Sequence, residues 1–158
     1  MVADEKYMQM AITEAKKAES INEVPIGAII VCDDEVIASG YNRREKTQMA
    51  IAHAEMMAIK EANEKVGSWR LEDCTLYVTL EPCPMCAGAI VQSRIKRVVY
   101  GANDHKAGCA GTIINLLNEK KFNHQVEVIN GILEEDCSLL LSNFFQKLRK
   151  NKNFNKNL

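Results

Sequence analysis

The sequence has no stretch near the roughly 20 apolar residues that a membrane-crossing helix needs. Its longest apolar run, residues 27–32, has the length of one buried strand. The opening Met1-Val2-Ala3-Asp4-Glu5-Lys6 lacks the apolar core of a secretory signal, so residence in the cytoplasm is expected, with no membrane partner. An excess of one charge is also missing. Twenty Lys and Arg against 21 Asp and Glu leave a formal net charge of −1, which does not by itself advertise a nucleic-acid partner. There is no internal repeat and no Pro- or Ser-rich linker, with only three prolines in 158 residues. One domain is therefore expected over residues 1–150, followed by a basic tail at 151–158 that frays. The basic character begins earlier, since Lys147, Arg149, Lys150, Lys152 and Lys156 have no acid among them.

What is present alternates between helical and strand periods, which argues for a single α/β domain. Residues 4–19 read as a helix, with Tyr7, Met8, Ile12, Ala15 and Ala18 on one face and acids before lysines. A strand at 26–31 turns at Asp33-Asp34 into a second at 35–41, giving a hairpin. A helix at 54–64, a strand at 74–79, a helix at 85–93 and strands at 96–100 and 126–129 follow. The last helix starts at Glu134, with Cys137, Leu140, Leu141, Phe144, Phe145 and Leu148 as its apolar stripe. Such an order implies a sheet covered by helices on both faces.

Six cysteines in a chain of this kind do not suggest a disulfide framework. Cys32, Cys74, Cys109 and Cys137 stand singly among apolar or small residues and read as packing thiols. Cys83 and Cys86 differ, because Pro82-Cys83-Pro84-Met85-Cys86 spans a strand-to-helix junction. Three residues apart on a first helical turn, their sulfurs face one way, and a helix N-terminus favours the thiolate that a metal requires. His53-Ala54-Glu55 opens another helix. Two thiolates and one imidazole leave zinc a fourth, open position, which separates a catalytic site from a closed structural one. A closed site would need one more ligand, for which His105, His124 and Cys109 are the candidates. Glu55 suits proton transfer beside an activated water. For Glu55 and His53 to point inward together, His53 is expected at the first helical position.

The pattern His-x-Glu…Pro-Cys-x-x-Cys is the signature of the zinc nucleobase deaminases. The sequence further resembles the bacterial tRNA-specific adenosine deaminases (TadA family), within the zinc-dependent cytidine/deoxycytidylate deaminase superfamily. The resemblance rests on Glu23-Val24-Pro25-Ile26-Gly27-Ala28, Ala52-His53-Ala54-Glu55 and Gly67-Ser68-Trp69-Arg70-Leu71. It continues through Leu80-Glu81-Pro82-Cys83-Pro84-Met85-Cys86-Ala87-Gly88-Ala89 and Lys106-Ala107-Gly108-Cys109-Ala110-Gly111-Thr112. It implies a cytidine-deaminase-like three-layer α/β/α fold with a five-stranded mixed sheet, one Zn2+ per subunit and a homodimer. The implied reaction converts the wobble adenosine of arginine tRNA to inosine. A zinc-activated hydroxide attacks C6 and ammonia leaves, with Glu55 as the proton carrier and His53, Cys83 and Cys86 as ligands. Asn42 and the backbone at Ala54 match positions that hold the base. Asp104, Lys106, Asn123 and Phe145 match positions facing the anticodon stem-loop, and Arg149 stands where it can touch phosphate.

The residues themselves leave alternatives open. Asn42 either meets the base or caps the turn after the second strand, and Asp104 and Lys106 are either contacts or exposed loop charges. Phe144 and Phe145 fit the apolar stripe well enough that at least one is expected in the core. Arg43, Arg44, Lys46 and Arg70 are RNA contacts or plain surface cations. A guanine or cytosine deaminase acting on a free base would use the same motifs. A thiol–disulfide oxidoreductase would use Cys83 and Cys86 but leave His53 and Glu55 without a role, and a non-catalytic zinc module would need a fourth ligand.

Overall fold

The computed structural model describes residues 2–156, with side chains through residue 152. Five strands form one mixed sheet in the order β2-β1-β3-β4-β5: β1 (Gly27–Cys32), β2 (Glu35–Tyr41), β3 (Cys74–Leu80), β4 (Arg97–Ala102) and β5 (Glu127–Ile129). β1 runs antiparallel to β2 and β3, whereas β3, β4 and β5 are parallel. The β1–β2 hairpin turns at Asp33 and Asp34, whose φ values of 52° and 61° are those of a two-residue primed turn. The parallel β3–β4 step needs a crossover, supplied by α4 (Pro84–Gln92).

Strand alternation sorts the core into two halves. Ile29, Val31, Tyr77 and Val99 face α1 (Val2–Ser20) and α5 (Glu134–Lys156), packing with Met8, Ile12 and Cys137. Ala28, Ile30, Leu76, Val78 and Val98 face α3 (Ala54–Val66) and α4, packing with Ala58, Ile59 and Ile90. The three-layer architecture expected from the sequence is the one observed. Gly40 brings β2 down onto the first turn of α3, where a Cβ would stand 2.4 Å from the Ala54 carbonyl oxygen. That close approach fixes the start of α3 against the sheet.

Two expectations change. A short helix, α2 (Arg44–Thr47), lies between β2 and α3. The α5 stripe is buried only near its start. Cys137 is in the core and Leu140 packs against it, but Phe144 is half-buried and Phe145 and Leu148 are exposed, so neither phenylalanine is fully in the core. At about 1.5 Å per residue, a helix of this length outruns the sheet beneath it. The α5 backbone is helical through Lys156. Asn157 and Leu158 lie outside the described residues.

α1 is tied to the sheet by a buried charge cluster. Arg97 donates to both oxygens of Asp4, at 2.9 and 2.6 Å, and the Tyr77 hydroxyl donates to Asp4 Oδ1 at 2.7 Å. The Arg97 guanidinium, helped by Tyr77 and opposed by burial, holds the Asp4 carboxyl below its ordinary 3.8. Its stabilising effect is complete above that ordinary value and is lost as pH falls through the depressed folded value. Asp4→Asn should lower unfolding free energy by about 2–4 kcal/mol at neutral pH. It should also flatten the acid limb of stability, both read by urea denaturation across pH.

Candidate active site

Two helices aim their N-termini at one point beyond the C-terminal end of β3. His53 is the N-cap of α3 and Cys83 the N-cap of α4, both with extended backbone (ψ 153° and 175°). Pro84 at the first position of α4 has its φ preset and no N–H to leave unpaired. His53 thus sits one residue before the helix, not at its first position. The extended backbone there replaces the regular 100° rotation that would part residues 53 and 55, so both side chains reach the same cavity.

His53 Nδ1 lies 3.5 Å from Cys83 Sγ and 3.5 Å from Cys86 Sγ, and all three ligand atoms fall within 4.8 Å of one another. With metal–sulfur and metal–nitrogen lengths of about 2.3 and 2.0–2.1 Å, a tetrahedral ion requires an N···S edge of about 3.5 Å. The donor set therefore fits a tetrahedral ion at three of its corners. Among the described residues no other His, Cys, Asp or Glu joins this group. Of the candidates for a fourth ligand, His124 uses Nε2 on the Ile95 carbonyl at 2.7 Å, and Cys109 donates to the Ala107 carbonyl. His53 and Cys83 also line a cavity together with Glu55.

The local fields are strong. The Cys83 thiol is brought down to about 4, chiefly because Cys86 donates to its sulfur, with burial opposing and His53 assisting. Cys86 is pushed up as the donor of that pair and by burial near Glu55. Contact with Cys83 raises His53. Glu55 is buried and its carboxyl is lifted to about 7, first by burial and then by the Cys83 charge, against its own backbone N–H and His53. A carboxyl poised near neutrality can both take and give a proton.

The cavity holds about 230 Å3, below the roughly 300–1,000 Å3 of drug-sized sites and suited to a single flat ring. Val24, Ile26 and Leu80 give it apolar walls, and Asn42, Ala54 and Asp104 also line it. Asn42 both lines the cavity and caps a turn. Its amide donates to the Val24 carbonyl and its oxygen accepts from the Arg44 N–H, at 3.2 and 3.1 Å. Asp104 likewise turns its own loop, accepting from the Lys106 and Ala107 N–H groups. Lys106, Phe145 and Arg149 share a neighbouring groove along α5. Asn123 is not brought there; it lies in a third cavity with Arg94, Lys121 and Phe122.

Sequence reasoning missed two buried carboxylates that hold the walls. Glu23, 1% exposed, accepts from the Glu45 and Lys46 N–H groups and so caps α2. Glu81 does the same for the loop at 104–112. Arg44, left undecided between RNA contact and surface cation, lines the cavity. Only the adjacency of Glu81 to Pro82-Cys83 hinted at any of this.

A family model described as MafB19-like deaminase matches residues 2–149. The chain is 60% identical over 152 residues to the tRNA-specific adenosine deaminase of Bacillus subtilis (strain 168), spanning 96% of this chain and 94% of that one. A solved structure from a study of A-to-I editing by tRNA:A34 deaminases at the wobble position superposes with a TM-score of 0.83. Its identity is 40%, over 86% of this chain and 99% of the other. The guanine deaminase of Nitrosomonas europaea superposes at 0.77 with 22% identity, over 89% and 83% of the two chains, a likeness of fold alone.

His53→Ala, Cys83→Ser and Cys86→Ser should each strip bound metal to below about a tenth of the wild-type content. Cys109→Ser should leave it unchanged. Elemental analysis after dialysis against a weak chelator separates these outcomes.

Proposed function

The chain belongs to the MafB19-like deaminase family, and from that premise we infer that it acts as a tRNA-specific adenosine deaminase, hydrolysing adenosine in tRNA to inosine and ammonia. The support that carries most is near-full-length identity of 60% to a protein of that name. Further support is the cluster of His53, Cys83 and Cys86, of which His53 and Cys83 line one base-sized cavity together with Glu55, whose carboxyl is raised to about 7. The substrate we propose is the wobble adenosine of an arginine tRNA, flipped out of the anticodon loop into the cavity. The enzyme we propose is a cytoplasmic homodimer.

One zinc ion per subunit, held by His53, Cys83 and Cys86, supplies when bound a position at which water becomes acidic enough to attack near neutral pH. The chain's own groups do the rest. Glu55 accepts a proton from the attacking water and passes it to the ring nitrogen next to C6. It then takes the proton of the new C6 hydroxyl and delivers it to the amino group, so that the C6–N bond breaks, ammonia leaves and C6 keeps the oxygen as a carbonyl. Asn42 keeps a second N–H and a second lone pair for the base edge, because only one of each is spent on Val24 and Arg44. The Ala54 N–H, at the start of α3, is one of the donors a helix leaves unpaired. The apolar walls exclude bulk water from the ring. Lys106, Phe145 and Arg149 offer cations and an aromatic face to the flanking nucleotides, Asp104 lines the catalytic cavity two residues before Lys106, and Asn123 is an outlying contact.

Glu55→Ala should keep fold and metal while lowering kcat by about 10²- to 10⁴-fold, because only proton transfer is removed. Nucleoside analysis of arginine tRNA after incubation reads this directly. Inosine at the wobble position with wild-type enzyme, and almost none with the variant, is expected. Turnover of free guanine or cytosine, with the tRNA untouched, would contradict the substrate and keep the chemistry.

A further inference from the structure

Glu81 follows the last residue of β3 and precedes Pro82-Cys83. Its backbone N–H donates to the Ala102 carbonyl at 2.9 Å, prolonging the β3–β4 ladder by one step. The residue is 2% exposed and lines the catalytic cavity, and its side chain bonds into the loop at 104–112. Oε1 accepts from the Asp104 N–H at 3.0 Å and from the Thr112 hydroxyl; Oε2 accepts from the Ala110 and Thr112 N–H groups at 3.0 and 3.1 Å. Among the described residues Glu81 makes no ion pair, so this buried carboxylate is satisfied by loop donors alone. The loop closes around it so tightly that a Cβ at Gly108 would lie 2.5 Å from its carboxyl.

The loop so held is a shared wall. Asp104 and Ala107 face the catalytic cavity, while Lys106 faces the groove of α5 beside Phe145 and Arg149. Where the loop sits therefore sets the offset between a base in the cavity and the strand that carries it in the groove. We propose that Glu81 is the positioning residue for this loop and thereby determines affinity for the polynucleotide, acting through Asp104, Ala107 and Lys106 and not on the reacting atoms. A glutamine cannot replace it. Whichever arm becomes the NH2 must face at least one N–H donor, whereas a carboxylate accepts from both arms.

The inference rests on the tRNA reading, and the experiment keeps the two apart. Steady-state kinetics on an anticodon stem-loop RNA would be measured for wild type, Glu81→Gln, Gly108→Ala, Thr112→Val and Thr112→Ser. Metal content and cooperative unfolding would be checked for each. Wild type without inosine formation would remove the tRNA reading itself. With an active wild type, Glu81→Gln and Gly108→Ala should raise KM by about tenfold or more while kcat falls less than about threefold and metal is retained. Thr112→Val should shift KM the same way by a smaller factor, and Thr112→Ser should restore it. Unchanged KM in the folded variants, or a loss in kcat alone, overturns the assignment. So does loss of metal in Glu81→Gln, which would make it a support for Cys83. Should Glu81→Gln fail to fold, Gly108→Ala and Thr112→Val decide the matter, since neither alters the carboxylate.

Discussion

Three ligand atoms at tetrahedral spacing require two helix N-termini to meet, and most of the structure follows from holding them there. α3 and α4 start from different segments, 30 residues apart at His53 and Cys83, yet their first turns converge beyond the end of β3. Each start is fixed by something rigid. Gly40 lets β2 touch the first turn of α3, and the final residues of β3 lead directly into Cys83. Helix N-termini carry partial positive charge and unpaired N–H groups, so the same convergence favours thiolates and anionic intermediates. Fold and electrostatics are here one arrangement.

Around that point the cavity is made of loops, and loops are tolerable there because buried acids hold them. Glu23 satisfies the start of α2 and Glu81 gathers the segment at 104–112, each with backbone N–H donors from residues far along the chain. This gives walls that are irregular in conformation but fixed in position, as a site that must orient a flat ring requires. On the opposite face of the sheet, the Asp4–Arg97–Tyr77 cluster ties α1 down and takes no part in the chemistry. The overhanging half of α5 leaves Phe145 and Leu148 exposed, and Phe145 and Arg149 share a groove with Lys106.

The legible parts of the sequence were those whose chemistry is local. Cys83 and Cys86 share a turn, His53 and Glu55 share a helix start, and the strand periods gave the five-stranded order its members. What was hidden depends on distant pairing. No spacing rule reveals that Glu81 will meet Ala110 and Thr112, or that Glu23 will cap a helix more than 20 residues on. The stripe on α5 points to a core phenylalanine that the structure lacks, because periodicity reports which residues share a face, not how far the partner surface extends. The sequence puts His53 at the first helical position and the structure at the N-cap, a boundary set by backbone dihedrals that composition does not encode.

We propose that Cys83, Cys86 and His53 give a metal two sulfurs and one imidazole and leave its fourth position to solvent. X-ray absorption at the zinc edge of the purified, zinc-loaded enzyme tests it most directly. Two sulfur scatterers at about 2.3 Å and two nitrogen or oxygen scatterers at about 2.0–2.1 Å are expected. A third sulfur drawn from Cys109, or a shell of oxygen alone, would contradict the account.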